Sequence, residues 1–500
     1  MRQTQIFDNF SGGLDLVSSL QRVPEGFTPN AMNFRISEYG GLEKILGYEA
    51  FATADLAMHD LFYFQKADGS SKRLIAASAT KWHAIDSAGN ETDIRTGMTS
   101  TTDTSFVATD DLVYGLDASN DLASWDGSTL TTYAVGVNTG PPRGTILGIW
   151  NSRMYVAPAA NPMRVVWSEP GEFTGTGSWP ADNFVDLVAP TSSDKIVGGA
   201  VLPDALVVFG RSSAFAIYDS ATGANRIVDP QLGCASRRSI VVHDGAAFGV
   251  SDDGVFRTSG SFSLEIVSRR IEPLFAEDRA DLTIAAAVKF RRSMLFSYAR
   301  DAATNDLTLD LDPVAGTWMS NSYPMLDAVV AKFDADDDLY FIDATDATKI
   351  RKGFSGGEFV DAPITCYYDL PPAILGGDDR ILKRLHRVRV VGRGAGLQVG
   401  VRADYFSDLR LQTDLAFSIG DGIPSLWGSA IWGAATFGGD DISEGFARLP
   451  LKARRHALRF AQTGSDTLDG RNVLNSPGET FGGLGIYLAE PGFTTSTRYR

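Results

Sequence analysis

Few side chains in this sequence stand where chemistry could be done, and their surroundings argue mostly for turns and strand faces. Ser355 lies in Gly353-Phe354-Ser355-Gly356-Gly357, the spacing of a hydrolase nucleophile elbow. An elbow needs a strand, a sharp turn and then a helix to lift the serine oxygen into the open. Here the serine is followed by Gly-Gly-Glu-Phe-Val-Asp-Ala and then Pro363, which reads as strand or loop, so Ser355 is expected in a hairpin turn. Asp334, Asp336, Asp337 and Asp338 begin like a calcium loop, but Leu339 stands where glycine is needed and Thr345 where a bidentate glutamate belongs. The segment reads as a solvated turn between strands, with a weak cation site as the alternative. Asp252-Asp253-Gly254 likewise reads as a hairpin turn with glycine supplying a positive φ.

The five histidines, His59, His83, His243, His386 and His456, form no H-x-x-x-H or HExxH pair. A zinc centre would need three ligands to converge from distant strands. Cys234 and Cys366 are far apart and outside any CxxC, which leaves disulfide frameworks and thiolate metal sites without support. No catalytic, cofactor-binding or metal-binding residue is therefore expected, and no cofactor. Glycoside hydrolysis stays open as an enzymatic alternative, because two carboxylates about 5–10 Å apart can come from anywhere in a chain. A basic set, Arg387, Arg389, Arg455 and Arg459, alternates with apolar residues on two strand-like segments. It reads as a solvated face, or as a docking surface for an acidic neighbour subunit, or as a site near DNA. Trp427 and Trp432 read as core or subunit-contact residues, or as a platform on which sugars stack. These six residues make up the candidate interaction face.

Short strands must position all of these residues. Fifty-one glycines and abundant Asp, Ser and Thr punctuate the chain every few residues, which favours strands and turns over helices. One unit recurs: an apolar-aromatic strand, a polar turn and a second strand. It begins at Arg73, Leu112, Arg153, Ala205, Ala246, Ser293 and Asp338. The spacing of roughly 40–50 residues is that of four-stranded propeller blades. A single hairpin cannot bury both of its faces, whereas blades packed radially can. The expectation is an all-β protein: a β-propeller of six to eight blades over 51–360, preceded by an extended arm over 1–50 that packs on it. Unrelated hairpins in a sandwich are the alternative. Short helical pieces are expected after Pro273, in PLFAEDRADLTIAAAVKF, and after Pro24 or Pro29. From 361 to 500 the strands lengthen and alternate, as in Val388 and Val390 against Arg387 and Arg389, which predicts an antiparallel, jelly-roll-like β-sandwich.

Apolar residues at 44% and aromatics at 10% suffice to fill such cores, which excludes a disordered chain. The net charge of −16 is unevenly spread: residues 361–500 hold 16 Lys and Arg against 15 Asp and Glu, so the whole acidic excess lies in the first 360. That excess argues against tight nucleic-acid binding by the first part, because holding phosphates needs a basic surface. It is compatible with DNA sliding past, since an acidic wall repels it. The opening MRQTQIFDNF lacks the pattern of a secretory signal, and no apolar run approaches a membrane helix, so a soluble protein made in a cytoplasm is expected.

Three segments carry short Gly-rich motifs in a fixed order. The first is Phe10-Ser11-Gly12-Gly13-Leu14, then Pro24-Glu25-Gly26, Ala31, Asn33 and Phe34, then Gly40-Gly41-Leu42-Glu43-Lys44 and Gly47-Tyr48. The second runs through Gly233, Ser239, Phe248, Asp253-Gly254-Val255-Phe256, Gly260, Ser268, Ile271-Glu272 and Phe275. The third is Trp427-Gly428 and Trp432-Gly433 with Phe437-Gly438-Gly439. Ile45-Leu46 departs from the pattern, where an arginine is common before the glycine. Together the three segments resemble phage tail propeller proteins, including the tail nozzle (tail tubular protein B) of short-tailed phages, and the resemblance implies a virion tail protein, a structural ring and usually a homohexamer. It would lie below the portal and adaptor, with an axial channel for double-stranded DNA and a periphery that holds fibres or spikes. A tail-tip receptor-binding adhesin is the alternative within the same likeness.

Overall fold

The computed structural model describes residues 2–4 and 9–371, apart from 21, 38–40, 100–102, 136–139, 259–262, 277–279, 301 and 361. Beyond 371 it describes the strands 383–393, 397–403, 411–414, 443–453, 456–462 and 485–495. The chain divides into two compact units, one of Ala50–Gly316 with Tyr323–Gly353, the other of Met1–Glu49, Thr317–Ser322 and Phe354–Arg500.

The first unit is a seven-bladed β-propeller. Each blade is a four-stranded sheet, and the inner strands are Met58–Gln65, Ser105–Ala108, Gly144–Trp150, Ile196–Val201, Val241–His243, Asp281–Phe290 and Met325–Ala331 for blades one to seven. Each inner strand touches the next, and the seventh touches the first, which closes the ring. Blade seven takes its fourth strand, Tyr48–Thr53, from ahead of blade one. The seven hairpins read from the sequence are the two middle strands of the seven blades, from Lys72–Ser78 with Trp82–Ile85 to Asp338–Asp343 with Lys349–Gly353.

The middle strands are buried on both faces, because each blade is wedged between two others. In Leu206–Gly210, Leu206 and Val208 join the core shared with blade three, while Val207 and Phe209 join the core shared with blade five. Arg153–Pro158 divides in the same way, with Tyr155 and Ala157 on one side and Met154 and Val156 on the other. Blades seven and one are welded by Met58, Leu61, Leu74, Ala331, Tyr340, Ile342 and Ile350. Turn aspartates fix the hairpin ends: Asp126 Oδ1 accepts the N–H groups of Ser128 and Thr129 at 2.8 and 2.6 Å. The Thr129 and Ser128 hydrogen bonds hold the Asp126 carboxyl at about 2. Part of the acidic excess is thus turn chemistry.

Among the described residues the stretch from Pro273 carries no α-helix. A 3₁₀ turn covers Arg269–Leu274, and Asp281–Phe290 is the inner strand of blade six. Ala285, Ala286 and Ala287 are buried there, so the alanines that favour a helix in isolation serve as small side chains on the crowded inner edge. After Pro24 there is a turn closed by Phe27 N–H to Pro24 O at 3.2 Å, but Pro29 is followed by the strand Asn30–Met32.

The other unit is a β-sandwich of two sheets. One runs Ser443–Ala453, Lys383–Arg393, Gly485–Thr495, Leu42–Lys44, Phe34–Ile36, with Arg2–Thr4 also on Gly485–Thr495. The other runs Leu411–Asp414, Leu397–Ala403, His456–Gln462, Cys366–Asp369, Asn30–Met32. The N-terminal residues, expected as an arm, therefore supply strands to both sandwich sheets. Asn30–Met32 and Phe34–Ile36 adjoin in sequence but lie in different sheets, with Asn33 at φ 59° forming the corner. Asparagine tolerates that left-handed conformation better than most residues. Its Nδ2 donates to Thr365 O at 2.7 Å and its Oδ1 accepts Ser322 N–H at 2.9 Å, which locks the corner.

Candidate functional site

The concave centre of a propeller is its axis, where inner strands converge around a channel. Two of those strands carry the same short sequence, Met58-His59-Asp60 in blade one and Met325-Leu326-Asp327 in blade seven. In both, the pairing register shifts between the methionine and the aspartate. Such a bulge re-aims the side chain that follows it. Both methionines are buried, and so are both aspartates. Asp327 Oδ2 accepts the Leu61 N–H at 2.7 Å, a hydrogen bond across the seam that closes the ring. Asp60 Oδ2 accepts the Thr104 N–H at 2.7 Å, just ahead of blade two, and lies 2.7 Å from His59 Nδ1.

The cations come from the far side. Arg237 and Arg238 open the 3₁₀ turn Arg237–Ser239, directly ahead of the inner strand of blade five. Ser239 Oγ donates to Ser236 O at 2.7 Å and accepts Val250 N–H at 3.1 Å, fixing the turn to the second strand of that blade. Arg237 Nη2 donates to Asp60 Oδ1, and to Thr104 O at 3.1 Å. Arg238 Nη2 donates to Asp103 Oδ1, and its Nε reaches Asp60 Oδ1 at 3.4 Å. In a ring of seven, blade five adjoins four and six only, so side chains that reach from it to blades one and two must cross the axis. The two guanidiniums form a brace across the channel.

Charge counting explains the acids. Two guanidiniums face Asp60, Asp103 and Asp327, so one carboxyl has no cation of its own. Burial opposes ionisation of Asp60, but Arg237, the His59 hydrogen bond and Arg238 outweigh it and hold that carboxyl well below the usual range. For Asp327, burial comes first and the charge on Asp60 adds to it, so its carboxyl is raised and keeps its proton to higher pH. A buried ion pair adds little over a well-packed apolar core, but removing one partner strands the other charge at a cost of about 3–5 kcal/mol. The network is therefore a positional lock.

The residues singled out in the sequence do not converge here. Arg459 lies in the second sandwich sheet, where its Nε and Nη2 make a bidentate pair with Asp369 at 2.6 and 2.7 Å, and its guanidinium sits 4.8 Å from the centre of the Tyr367 ring. The Asp369 hydrogen bond raises its basicity further. Arg387 and Arg389 lie on Lys383–Arg393 in the other sheet, in register with Arg448 and Phe446. The arginines are thus shared between two sheets and do not make one strand face. Arg455, Trp427 and Trp432 lie outside the described residues.

Ser355 sits in a loop after Lys349–Gly353, its N–H donating to Gly47 O at 3.0 Å, and among the described residues no helix follows it. Asp334–Asp337 form the bend between Met325–Ala331 and Asp338–Asp343. Gly254 has φ 123°, and a Cβ there would lie 2.3 Å from Ser268 Oγ, which accepts the Val255 N–H at 2.9 Å. Within the second family-like segment, Gly254, Ser268, Ile271 and Phe275 thus pack a turn against the 3₁₀ segment. Asp60, Asp327, Arg237 and Arg238 were not found from the sequence. The available signals were the twin Met-x-Asp and an acid standing inside an otherwise apolar strand.

No family model and no curated protein sequence matches this chain. Among solved structures it is similar to that of U3-55K, with a TM-score of 0.40 and 8% identity over 61% of this chain and 98% of that one. It is also similar to the computationally designed Ika8 protein, with a TM-score of 0.36 and 12% identity over 61% of this chain and all of the other. Both likenesses are too distant to bear on function. Among the described residues no helix is long and apolar enough to cross a membrane.

Proposed function

We propose that this chain is a structural protein of a bacteriophage tail, a nozzle or tail-tube subunit that assembles into a homo-oligomeric ring, a hexamer by the resemblance. Such a ring would give double-stranded DNA an axial passage and dock fibres or spikes at its periphery. The observation that carries the reading is the braced axis. Arg237 and Arg238 cross the propeller to Asp60 and Asp103, which ties blade five to blades one and two. A passage for a duplex then runs between copies of the chain, not through one of them. The acidic excess of the first 360 residues suits the wall of such a passage, because like charge keeps phosphates from adhering. The resemblance in three ordered segments supplies the tail assignment.

Cryo-electron microscopy of the purified chain, and of tail particles that contain it, tests the proposal. The expected result is a closed ring whose lumen admits a duplex and is lined by more acid than base. A chain that stays monomeric in solution and forms no ring in particles contradicts it.

A further inference from the structure

A second charged cluster lies on the outer half of blade one, away from the axis. His83, on Trp82–Ile85, is fully buried and pairs in register with Asp93 on Glu91–Arg95. Its Nε2 lies 3.2 Å from Ser78 Oγ. That hydroxyl donates its own hydrogen to Lys81 O at 3.1 Å, so it accepts from His83, and Nε2 carries the ring proton. Nδ1 is left with a lone pair, and it makes no hydrogen bond. Yet Glu91 Oε1 lies 2.5 Å from it and Asp93 Oδ1 3.3 Å, while Asp55 Oδ1 is 3.9 Å from Nε2. A bare lone pair facing carboxylates is repulsive unless a cation is shared among them, and Nδ1 makes no hydrogen bond to either oxygen.

The geometry points to a divalent transition-cation site formed by His83 Nδ1 with the carboxylates of Glu91 and Asp93, which face that nitrogen, and completed by Asp55, which approaches from the Nε2 side and swings in. One ligand atom from each of Asp55, His83 and Glu91 falls within 4.8 Å of the others, and the half-exposed Asp55 can close the remaining distance. Mixed imidazole and carboxylate ligands suit zinc and its neighbours. Charge agrees: three carboxylates against the single ammonium of Lys81, which lies 2.6 Å from Asp55 and 3.0 Å from Asp93, leave two negative charges. The site has a place in the fold. Asp55 follows Tyr48–Thr53, the strand that completes blade seven, and His83 and Glu91 belong to blade one. The ion staples the crossover that closes the ring.

The test titrates the chelator-treated full chain with Zn²⁺ by calorimetry and follows thermal unfolding. One equivalent is expected to bind and to raise the melting temperature. His83→Gln and the more exposed Glu91→Gln should each weaken uptake at least about tenfold. Lys81→Met should tighten it, because the ammonium competes for Asp55. Absence of saturable uptake by the wild-type chain overturns the site. So does uptake that neither His83→Gln nor Glu91→Gln alters, or a Lys81→Met chain that loses stability and gains no affinity for Zn²⁺.

Discussion

Between blades four and five, Val207, Phe209 and Phe256 meet in an apolar wedge, with the two phenylalanine rings 5.1 Å apart. At the axis, Asp60 is held as a charge between Arg237 and Arg238, and Asp327 beside it keeps its proton to higher pH. The wedge is stabilised by the area it removes from water, tolerates changes of shape that keep its volume, and has no preferred partner beyond fit. The axis adds little net stability but fixes which blades face each other, because any displacement strands a charge. Apolar packing holds neighbouring blades together, and the brace ties together blades that are not neighbours.

The largest expected effect belongs to the wedge. Phe209→Ala should cost about 4 kcal/mol in chemical denaturation, and no single second substitution should restore it, since a cavity has no partner to remove. Asp60→Ala should cost about 3 kcal/mol by leaving two guanidiniums partly stranded. Adding Arg237→Met and Arg238→Met to it should recover much of the loss, which sets the axis apart from the wedge.

Asp327 sharpens the comparison through pH. Its folded value is raised by burial and by Asp60, so between the ordinary carboxylate range and that folded value the native state binds more protons than the unfolded chain. Stability should fall as pH rises through that window, by up to about 1.4 kcal/mol per pH unit from this group. Asp327→Asn should flatten the profile relative to wild type, read from denaturation midpoints between acid and mildly alkaline pH. An unchanged slope would remove the third acid from the account. The smallest effect is expected at the rim. Arg164 and Asp186 form an exposed bidentate pair at 2.7 and 2.8 Å, yet Arg164→Ala should cost less than about 1 kcal/mol because solvent screens it.

The same contrast explains what the sequence makes legible. Middle strands buried on both faces read as unbroken apolar runs between Asp- and Gly-rich turns, so all seven hairpins can be recognised. Several inner strands are bulged and carry small residues. Gly148 and Gly198 sit at their bulges, and Ala285–Ala287 imitates a helix. Their role becomes visible only once the ring is closed. The axial site draws on positions 60, 103, 237, 238 and 327, which no local period connects. His83 and Asp93 are ten residues apart and meet only through the register of one hairpin. The N-terminal segment misleads for a different reason: its three-residue strands carry too few residues to display alternation, and the turn at Asn33 sends neighbouring strands to different sheets.

A double-mutant cycle on Asp60 and Arg237 tests the brace most directly, with Asp60→Asn and Arg237→Met made singly and together and unfolding free energies compared. The account predicts a coupling of at least about 1.5 kcal/mol, the range of close and desolvated charge pairs. Losses that add to within about 0.5 kcal/mol would show two independent side chains and contradict a charge lock across the axis.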